Sequence, residues 1–316
     1  MGLLFFIAGY FVPAKFDSKG PARFLRDRAI RLGLPTLLYM FLIGPATIYY
    51  LLLAPRGERM SFARWWLSYV VGPDIRGGGT GPLWFCVALL IFCAVYALGR
   101  VAARRTPLNA LWVPADRHVL ALIASMAAAT FLVRIVQPVG TAIYNMQLCY
   151  FADYVILFAA GIHAARHGWL TRMRRAFGLR WMAIGAGGGA VLWFVMVSVA
   201  VALHARLEPF NGGVTLQSAA NATWEALFAA GMCIGLVVIF RDGFNRQGRF
   251  ARFLSENAFA VYVLHPPVLI AISLALRAWA APPVLKFAVV SAVAVAASFG
   301  VAAAVRTIRP LRWVLS

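Results

Sequence analysis

The sequence predicts an all-α fold, a polytopic bundle of membrane-spanning helices, and three observations lead to this prediction. Hydrophobic residues make up 62% of the 316 residues and charged residues 13%, against roughly 45–50% and about 25% in a soluble globular protein. The hydrophobic residues form long runs, and short arginine-rich stretches separate these runs. A run of about 20 apolar residues crosses a hydrocarbon core of about 30 Å as a helix. The composition therefore excludes a water-soluble protein.

Eight segments are long enough to cross the bilayer completely. They are residues 33–54, 81–101, 118–137, 145–165, 181–203, 219–240, 255–276 and 284–305. A ninth apolar segment, residues 1–13, reaches only about 20 Å as a helix, so we expect it to be the second half of a spanning helix. Residues 1–316 are thus predicted to form a single membrane-embedded domain that is truncated at its N-terminus.

The positive charges orient these helices. The loops at 14–32, 100–117, 166–180 and 241–254, with the tail from residue 306, hold 22 of the 30 Lys and Arg residues, and the alternate loops hold six. Cytoplasmic loops are enriched in Lys and Arg, so the first set is expected to face the cytoplasm. This bias accounts for the net charge of +20 without a nucleic-acid partner. It also places the N-terminus outside, which predicts a further helix upstream; a re-entrant or interfacial first segment is the alternative.

The longest outer loop, residues 55–80, carries four aromatic residues, Phe62, Trp65, Trp66 and Tyr69, at helical spacing. This spacing predicts a short amphipathic helix that lies in the outer headgroup region.

Glycine runs and cysteines give no nucleotide or metal site. The glycine run at 77–81 lacks the lysine of a phosphate loop and is expected to be a flexible link, whereas the run at 185–189 lies in a span and indicates close helix packing. The four cysteines all fall in apolar segments without a CxxC pair. They are predicted to be small buried hydrophobic residues rather than disulfides or metal ligands.

Ionisable side chains inside spans are candidate site residues, because a charge in the hydrocarbon core is costly. Asp153 and Glu225 lie deep within their segments, and both a helix-packing hydrogen bond and a catalytic role are open for each. Arg134 lies near an outer helix end, where snorkelling towards the headgroups is the favoured interpretation. His163 and His167 are four residues apart but lack a third ligand, so no metal site is predicted.

His265 is the strongest catalytic candidate. If Ser255 caps its helix, His265 lies about 15 Å into the membrane, close to the midplane. Pro266 and Pro267 follow it and remove two backbone donors, which is tolerated where protein or a cavity satisfies the freed carbonyls. A neutral imidazole at such a position suits proton transfer. A helix kink with an inter-helix hydrogen bond is the structural alternative.

The inner loop ahead of the first full span carries an arginine collar, which consists of Arg23, Arg26, Arg28 and Arg31. Arginine offers paired donors to phosphate oxygens. The collar is therefore a candidate site for the phosphates of a substrate, with lipid headgroups as the competing ligand.

Four stretches resemble, in order, motifs of the acyltransferase-3 family of integral membrane O-acyltransferases, with a leaning towards its glucan-modifying, succinyltransferase-like members. They are Leu4-Phe5-Phe6-Ile7-Ala8-Gly9-Tyr10-Phe11, Phe24-Leu25-Arg26-Asp27-Arg28-Ala29-Ile30-Arg31-Leu32 with Pro35, Gly81-Pro82-Leu83-Trp84-Phe85 and Ala260-Val261-Tyr262-Val263-Leu264-His265-Pro266-Pro267. Their order and spacing cover essentially the whole chain.

The resemblance implies about ten membrane helices in the full-length protein. It implies transfer of an acyl group from cytoplasmic acyl-CoA to a hydroxyl of an extracytoplasmic glycan, in a bacterial cytoplasmic (inner) membrane. The partners would be acyl-CoA, the glycan acceptor and membrane lipid, with no bound cofactor, and the arginine collar would hold the CoA phosphates. The family's first helix, with its catalytic His, would precede Met1, and the usual Ser is absent at Ala8, so this chain is expected to be catalytically incomplete.

We predict that His265, Glu225 and Asp153 are the catalytic residues of this chain. Two other functions stay open. A secondary transporter or flippase for an anionic or lipid-linked sugar would use these residues as coupling groups, and a non-catalytic membrane partner would use none of them.

Overall fold

The computed structural model describes residues 1–72, 75, 79–103, 111–204, 206, 208–244 and 246–315. Within these residues the regular secondary structure is helical, apart from one isolated bridge between Ile143 and Met146. Eight of the helices are long and apolar enough to cross a membrane. The predicted all-α membrane bundle is confirmed.

The helices follow one another along the chain with short connections. Those longer than one turn are α1 (Gly2–Lys19), α2 (Pro21–Arg56), α3 (Phe62–Val71), α4 (Trp84–Ala103), α5 (Asp116–Val136), α6 (Phe151–His167), α7 (Arg175–Ala202), α8 (Leu216–Gly243), α9 (Arg249–Ala275), α10 (Pro283–Thr307) and α11 (Arg309–Val314). Two single-turn helices, Trp169–Arg172 and Glu208–Asn211, lie in the connections. Short 3-10 turns, Gly81–Leu83 and Leu148–Tyr150, lead into α4 and α6.

Several helix boundaries differ from the prediction, among them the following three. The first helix continues through Pro13 to its eighteenth residue, so it is about 27 Å long rather than about 20 Å. The helix α2 begins at Pro21 because the collar contains good helix formers and no breaker. The helix α9 begins at Arg249, so Ser255 lies inside it and the prediction that Ser255 is the N-cap is wrong. Residues 249–254 contain neither proline nor glycine, so nothing in them prevents the helix from beginning ahead of Ser255.

Three stretches of α2 have π-helical hydrogen bonding. They are Ala29–Gly33, Tyr39–Ile43 and Ile48–Leu53. Pro45 lies inside the helix and has no N–H for the carbonyl of Phe41, one turn earlier. That carbonyl oxygen instead accepts a hydrogen bond from Trp66 Nε1 of α3, at 2.7 Å. The proline therefore provides the anchor for the short helix that follows.

The predicted amphipathic helix in the outer loop is present as α3. Its aromatic side chains form a stack on α2, with ring centroids 5.6 Å apart for Tyr49 and Trp65 and 5.3 Å apart for Trp65 and Tyr69. The predicted flexible link at 77–81 lies partly outside the described residues.

The chain divides into two compact units. The first consists of Met1–Phe24, Val95–Ala142 and Gln147–Arg246, and the second of Leu25–Ala94, Ile143–Met146 and Gln247–Ser316. In the first unit α1 packs along α6, and α8 packs against both α5 and α7. In the second unit α9 packs against α10, and the turn ahead of α4 packs against α9.

Glycines set the closest helix contacts of the first unit. A Cβ atom on Gly9 of α1 would lie 2.1 Å from the carbonyl oxygen of Phe158 in α6, so these two backbones touch. The close packing predicted for the glycine run at 185–189 is confirmed at Gly185, where a Cβ would lie 2.8 Å from the Cα of Gly231 in α8. Side chains at these positions would push the helices apart.

Candidate functional site

His265 lies near the middle of α9. The helix contains 27 residues, and Tyr262 is its central residue, so His265 lies about 4.5 Å beyond the centre along the axis. Its side chain is half-buried. His265 therefore stays near the middle of its span, although the helix begins earlier than predicted.

The imidazole of His265 is held by its own helix. Its Nδ1 lies 2.9 Å from the carbonyl oxygen of Tyr262 and 3.2 Å from that of Val261. Pro266 follows Tyr262 by four residues and has no N–H to donate to that carbonyl. Because a carbonyl oxygen only accepts, Nδ1 carries the proton, and Nε2 keeps its lone pair when the ring is neutral.

Tyr262 connects α9 to the start of α4. Its phenol donates a hydrogen bond to the carbonyl oxygen of Pro82, and its ring centroid lies 6.4 Å from that of His265. The residue before Pro82, Gly81, has a φ of 50°. A Cβ there would lie 2.4 Å from the ring of Tyr39, so the site requires glycine. Two of the motifs noted in the sequence are thus joined through a side chain, Tyr262, that sequence reasoning did not single out.

A second polar cluster lies in the first unit, where α5, α6 and α8 meet. Arg134 is fully buried, and its Nη2 donates to Glu225 Oε2 at 2.5 Å. Its guanidinium lies 5.2 Å from the ring centroid of Tyr150. The interpretation that Arg134 snorkels towards the headgroups is wrong, because the ion pair with Glu225 compensates the loss of hydration on burial.

Asp153 belongs to the same cluster. Its Oδ1 accepts a hydrogen bond from Thr130 Oγ1 at 3.0 Å, and both side chains are buried. Thr130 and Arg134 are four residues apart and share one face of α5. Asp153 is also within electrostatic reach of Arg134 and Glu225. The structure therefore brings together Asp153 and Glu225, whereas His265 belongs to the second unit.

Arg134 keeps two donor groups for a further partner. Its Nε and Nη1 are buried, and no described residue accepts a hydrogen bond from them. The hydroxyl of Ser218, seven residues before Glu225 on α8, is likewise buried without a partner among the described residues. A buried guanidinium with donors to spare suits an oxygen-rich ligand. The sequence prediction considered Arg134 alone and therefore did not assign it to a buried polar cluster. The presence of Thr130 one turn earlier indicates a polar face of α5 that continues into the bundle.

All four residues of the arginine collar lie on α2. Arg23, Arg26 and Arg31 are exposed and Arg28 is half-buried. Arg26 lies 3.9 Å from Asp27, and Arg28 is within electrostatic reach of the thiol of Cys93 on α4.

The predicted burial of the four cysteines is confirmed. Cys86, Cys93, Cys149 and Cys233 are all free and buried. Among the described residues, no group of three or more His, Cys, Asp or Glu side chains is arranged to hold a metal ion.

Comparison with known proteins identifies the family to which the chain belongs. The model of the acyltransferase-3 family, which is described as an acyltransferase domain, matches residues 1–303. No curated protein and no solved structure matches the chain. The family match includes all four stretches on which the resemblance was based, among them His265 with its two prolines. The chain belongs to the acyltransferase-3 family, and it is an integral membrane acyltransferase.

Proposed function

We propose that the protein transfers an acyl group from cytoplasmic acyl-CoA to a hydroxyl of an extracytoplasmic glycan, in a bacterial cytoplasmic (inner) membrane. The observation that carries the proposal is the anchoring of His265. Its Nδ1–H is engaged by the Tyr262 carbonyl that Pro266 leaves without a donor. A general base needs a fixed ring with one nitrogen that can accept a proton, and the lone pair of Nε2 meets that need.

The proposal gives the general-base role to His265, although the family resemblance assigns a catalytic His to the family's first helix. Nε2 of His265 takes the proton of the acceptor hydroxyl while the hydroxyl oxygen attacks the thioester carbonyl carbon. The new C–O bond forms, the C–S bond breaks, and CoA leaves as a thiolate. The imidazolium then returns its proton to the thiolate, so that no oxidant, reductant or further reagent is consumed. The Tyr262 carbonyl stabilises the imidazolium through Nδ1–H, as the orienting group does in acyl-transfer triads.

The arginine collar is the proposed binding site for the donor. Positive-inside bias puts α2's collar on the cytoplasmic face, where acyl-CoA is present. The exposed guanidinium groups of Arg23, Arg26 and Arg31 suit bidentate contacts to the CoA phosphates.

Asp153 and Glu225 are proposed to act through Arg134. Glu225 fixes one edge of the guanidinium, at 2.5 Å, and Asp153 adds negative charge nearby. Nε and Nη1 of Arg134, buried and without an acceptor among the described residues, are then directed to oxygen atoms of a sugar. By charge topology this cluster lies in the outer half of the bundle, the side from which a glycan acceptor would come.

The test uses the protein reconstituted in proteoliposomes, with acyl-CoA on one side and a glucan acceptor on the other. Release of CoA thiol and the mass gain of the acceptor are measured together. His265→Ala is expected to lower kcat at least about 100-fold, whereas His163→Ala, an exposed histidine of α6, is expected to stay within about twofold.

Each part of the proposal can fail separately. Full activity of His265→Ala would remove that residue from the mechanism. Acyl transfer to a hydroxyl acceptor other than a glycan would reject the acceptor class, and acyl transfer from a donor other than acyl-CoA would reject the donor class.

A further inference from the structure

A cavity of about 490 Å³ lies in the first unit, towards the inner ends of α5, α6 and α8. His118 and Ser125 line it from α5, and Ile156 and Ala160 line it from α6. The distance from His118 to Ser125 along α5 is about 10 Å. Because His118 lies in the first turn of α5 and Ser125 close to its middle, the cavity extends through the inner half of the span. This is the depth that one leaflet of a bilayer occupies.

The deep part of the cavity is apolar. Leu122 and Ile156 line it, and the hydroxyl of Ser125 already donates to the carbonyl oxygen of Leu122 at 2.8 Å. No Asp, Glu, Lys or Arg is among the described residues that line the cavity. These walls suit a hydrocarbon chain, because a polar group would lose its hydration there without a hydrogen bond in return.

The cavity is open sideways, along α5 and α6. Ala121 and Ser125 of α5 and Ala159 of α6 line it and are exposed. All three residues lie within helices that can cross the membrane, so the opening lies at the depth of the hydrocarbon core. A molecule of the bilayer can enter through it directly, whereas a water-soluble ligand would first have to cross hydrocarbon.

Two N–H groups lie at the inner end of the cavity. The Nδ1 atom of His118 accepts a hydrogen bond from the backbone N–H of Ala115 at 3.0 Å, so the neutral ring carries its proton on Nε2. The indole Nε1 of Trp169 is buried, and no described residue accepts a hydrogen bond from it. The ring centroid of Trp112 lies 4.9 Å from those of both His118 and Trp169. Since buried N–H groups in proteins are nearly always paired, an oxygen atom of a ligand is the expected partner of Trp169.

Positive charge surrounds the same end. Arg117 directly precedes His118, and Arg172 lies three residues after the indole; both side chains are exposed. Asp116, the acid nearest in sequence, is already engaged by Arg180. Charge topology places this end on the cytoplasmic side, where the inner leaflet contains anionic lipids.

We propose that this cavity binds an anionic phospholipid of the inner leaflet, with one acyl chain between α5 and α6 and the phosphate beside Arg117 and Arg172. The N–H groups of His118 and Trp169 donate to oxygen atoms of the headgroup and of the chain's ester. The volume is about three times that of a cavity that holds benzene, which gives room for much of one chain. The site is separate from His265, which belongs to the second unit, and it does not depend on the proposed acyl transfer.

Photolabelling tests the proposal directly. Phosphatidylglycerol with a diazirine in one acyl chain is photolysed with the purified protein in detergent micelles, and the labelled peptides are mapped. Labels are expected on the α5 and α6 walls of the cavity. Unlabelled phosphatidylglycerol should displace them at a concentration about tenfold or more below that of phosphatidylcholine, because arginines near a headgroup favour net negative charge. Salt at about 1 M should reduce this preference, because it screens exposed charges.

Two alanines of α5 provide matched variants. Ala121 and Ala124 are both exposed, but only Ala121 lines the cavity. Ala121→Phe fills the cavity and is expected to lower the labelling of its walls about tenfold or more, whereas Ala124→Phe should leave it within about twofold. Equal labelling in the two variants would overturn the proposal.

The indole of Trp169 separates binding from packing. Trp169→Phe keeps an aromatic ring beside Trp112 but removes the N–H, so lipid affinity is expected to fall about two- to tenfold. The thermal unfolding midpoint without added lipid should not fall, because the lost donor has no acceptor among the described residues. Trp193→Phe, at an indole of α7 that is 49% exposed, is the control and should change neither value. A Trp169→Phe variant with a lower midpoint and native lipid affinity would show that the indole only packs.

Competition decides which amphiphile the cavity holds. Equal displacement by phosphatidylglycerol and phosphatidylcholine would reject an anionic lipid. Displacement by palmitoyl-CoA but not by phosphatidylglycerol would assign the cavity to an acyl donor and reject the lipid site. Neither result would affect the role proposed for His265, which the activity of its own variant tests.

Discussion

The Nδ1 atom of His265 lies 2.9 Å from the carbonyl oxygen of Tyr262, the one carbonyl of α9 that Pro266 deprives of its helical donor. The carbonyl of Tyr262 therefore lacks the backbone hydrogen bond that an N–H at residue 266 would provide. The His265 side chain takes the place of the missing N–H. A feature that weakens the helix therefore orients the candidate base.

Substitution of the two prolines is expected to separate orientation from helix stability. Pro266→Ala adds an N–H that competes with Nδ1 for the Tyr262 carbonyl, so kcat is expected to fall about tenfold or more. Pro267→Ala restores a donor to a different carbonyl and is the control. Both variants should be at least as stable as the native protein, because proline inside a helix costs about 3 kcal/mol. Equal kcat values for the two variants would show that the carbonyl does not orient His265.

The phenol of Tyr262 offers a similar comparison. Tyr262→Phe removes the hydrogen bond to Pro82 O, whereas Tyr49→Phe removes a bond of the same kind to Met60 O, at 2.5 Å, in the outer aromatic stack. Each loss is expected to cost about 1 kcal/mol of unfolding free energy. Only Tyr262→Phe should also lower kcat, since the lost hydrogen bond ties the helix that carries His265 to the start of α4. A kcat that falls equally in both variants would reduce Tyr262 to a structural role.

Removal of one partner of the ion pair between Arg134 and Glu225 is expected to lower the stability of the protein strongly. Glu225→Ala leaves the guanidinium buried without its carboxylate and should lower the free energy of unfolding by about 3–5 kcal/mol. The double variant Arg134→Met with Glu225→Leu removes both charges and should recover most of that loss. Arg180→Ala is the control, because Arg180 and its partner Asp116 are both 53% exposed, and it should cost about 1 kcal/mol or less. Unfolding in mixed micelles, followed by circular dichroism, measures all of these variants; a double variant no more stable than Glu225→Ala would contradict the coupling.

The contact of α1 with α6 gives a prediction about packing. Gly9→Ala places a Cβ 2.1 Å from the carbonyl oxygen of Phe158, so the helices must separate, at a cost of about 1–3 kcal/mol. Gly187→Ala, where a Cβ meets no atom within 4 Å, should instead stabilise its helix by up to about 1 kcal/mol. Thermal unfolding midpoints in one detergent compare the two variants. A Gly9→Ala midpoint at or above the native one would show that the helices tolerate a larger spacing.

The class of the protein, the eight spans and the position of His265 near the middle of one of them all follow from the sequence alone. These features depend on local properties, namely the length of an apolar run and the helical rise per residue. Helix ends were less well predicted, as at Ser255, because a polar residue inside a long helix looks the same in sequence as one that caps it.

The contacts of the polar residues, in contrast, are visible only in the folded chain. Arg134 is buried rather than snorkelling because a carboxylate of α8, 91 residues away in sequence, lies within 2.5 Å. The phenol of Tyr262 donates to the carbonyl oxygen of Pro82, which lies 180 residues away in sequence. The cost of burying a charge or a hydroxyl depends on such partners, and hydrophobic patterning along the chain carries no information about which helix will supply them.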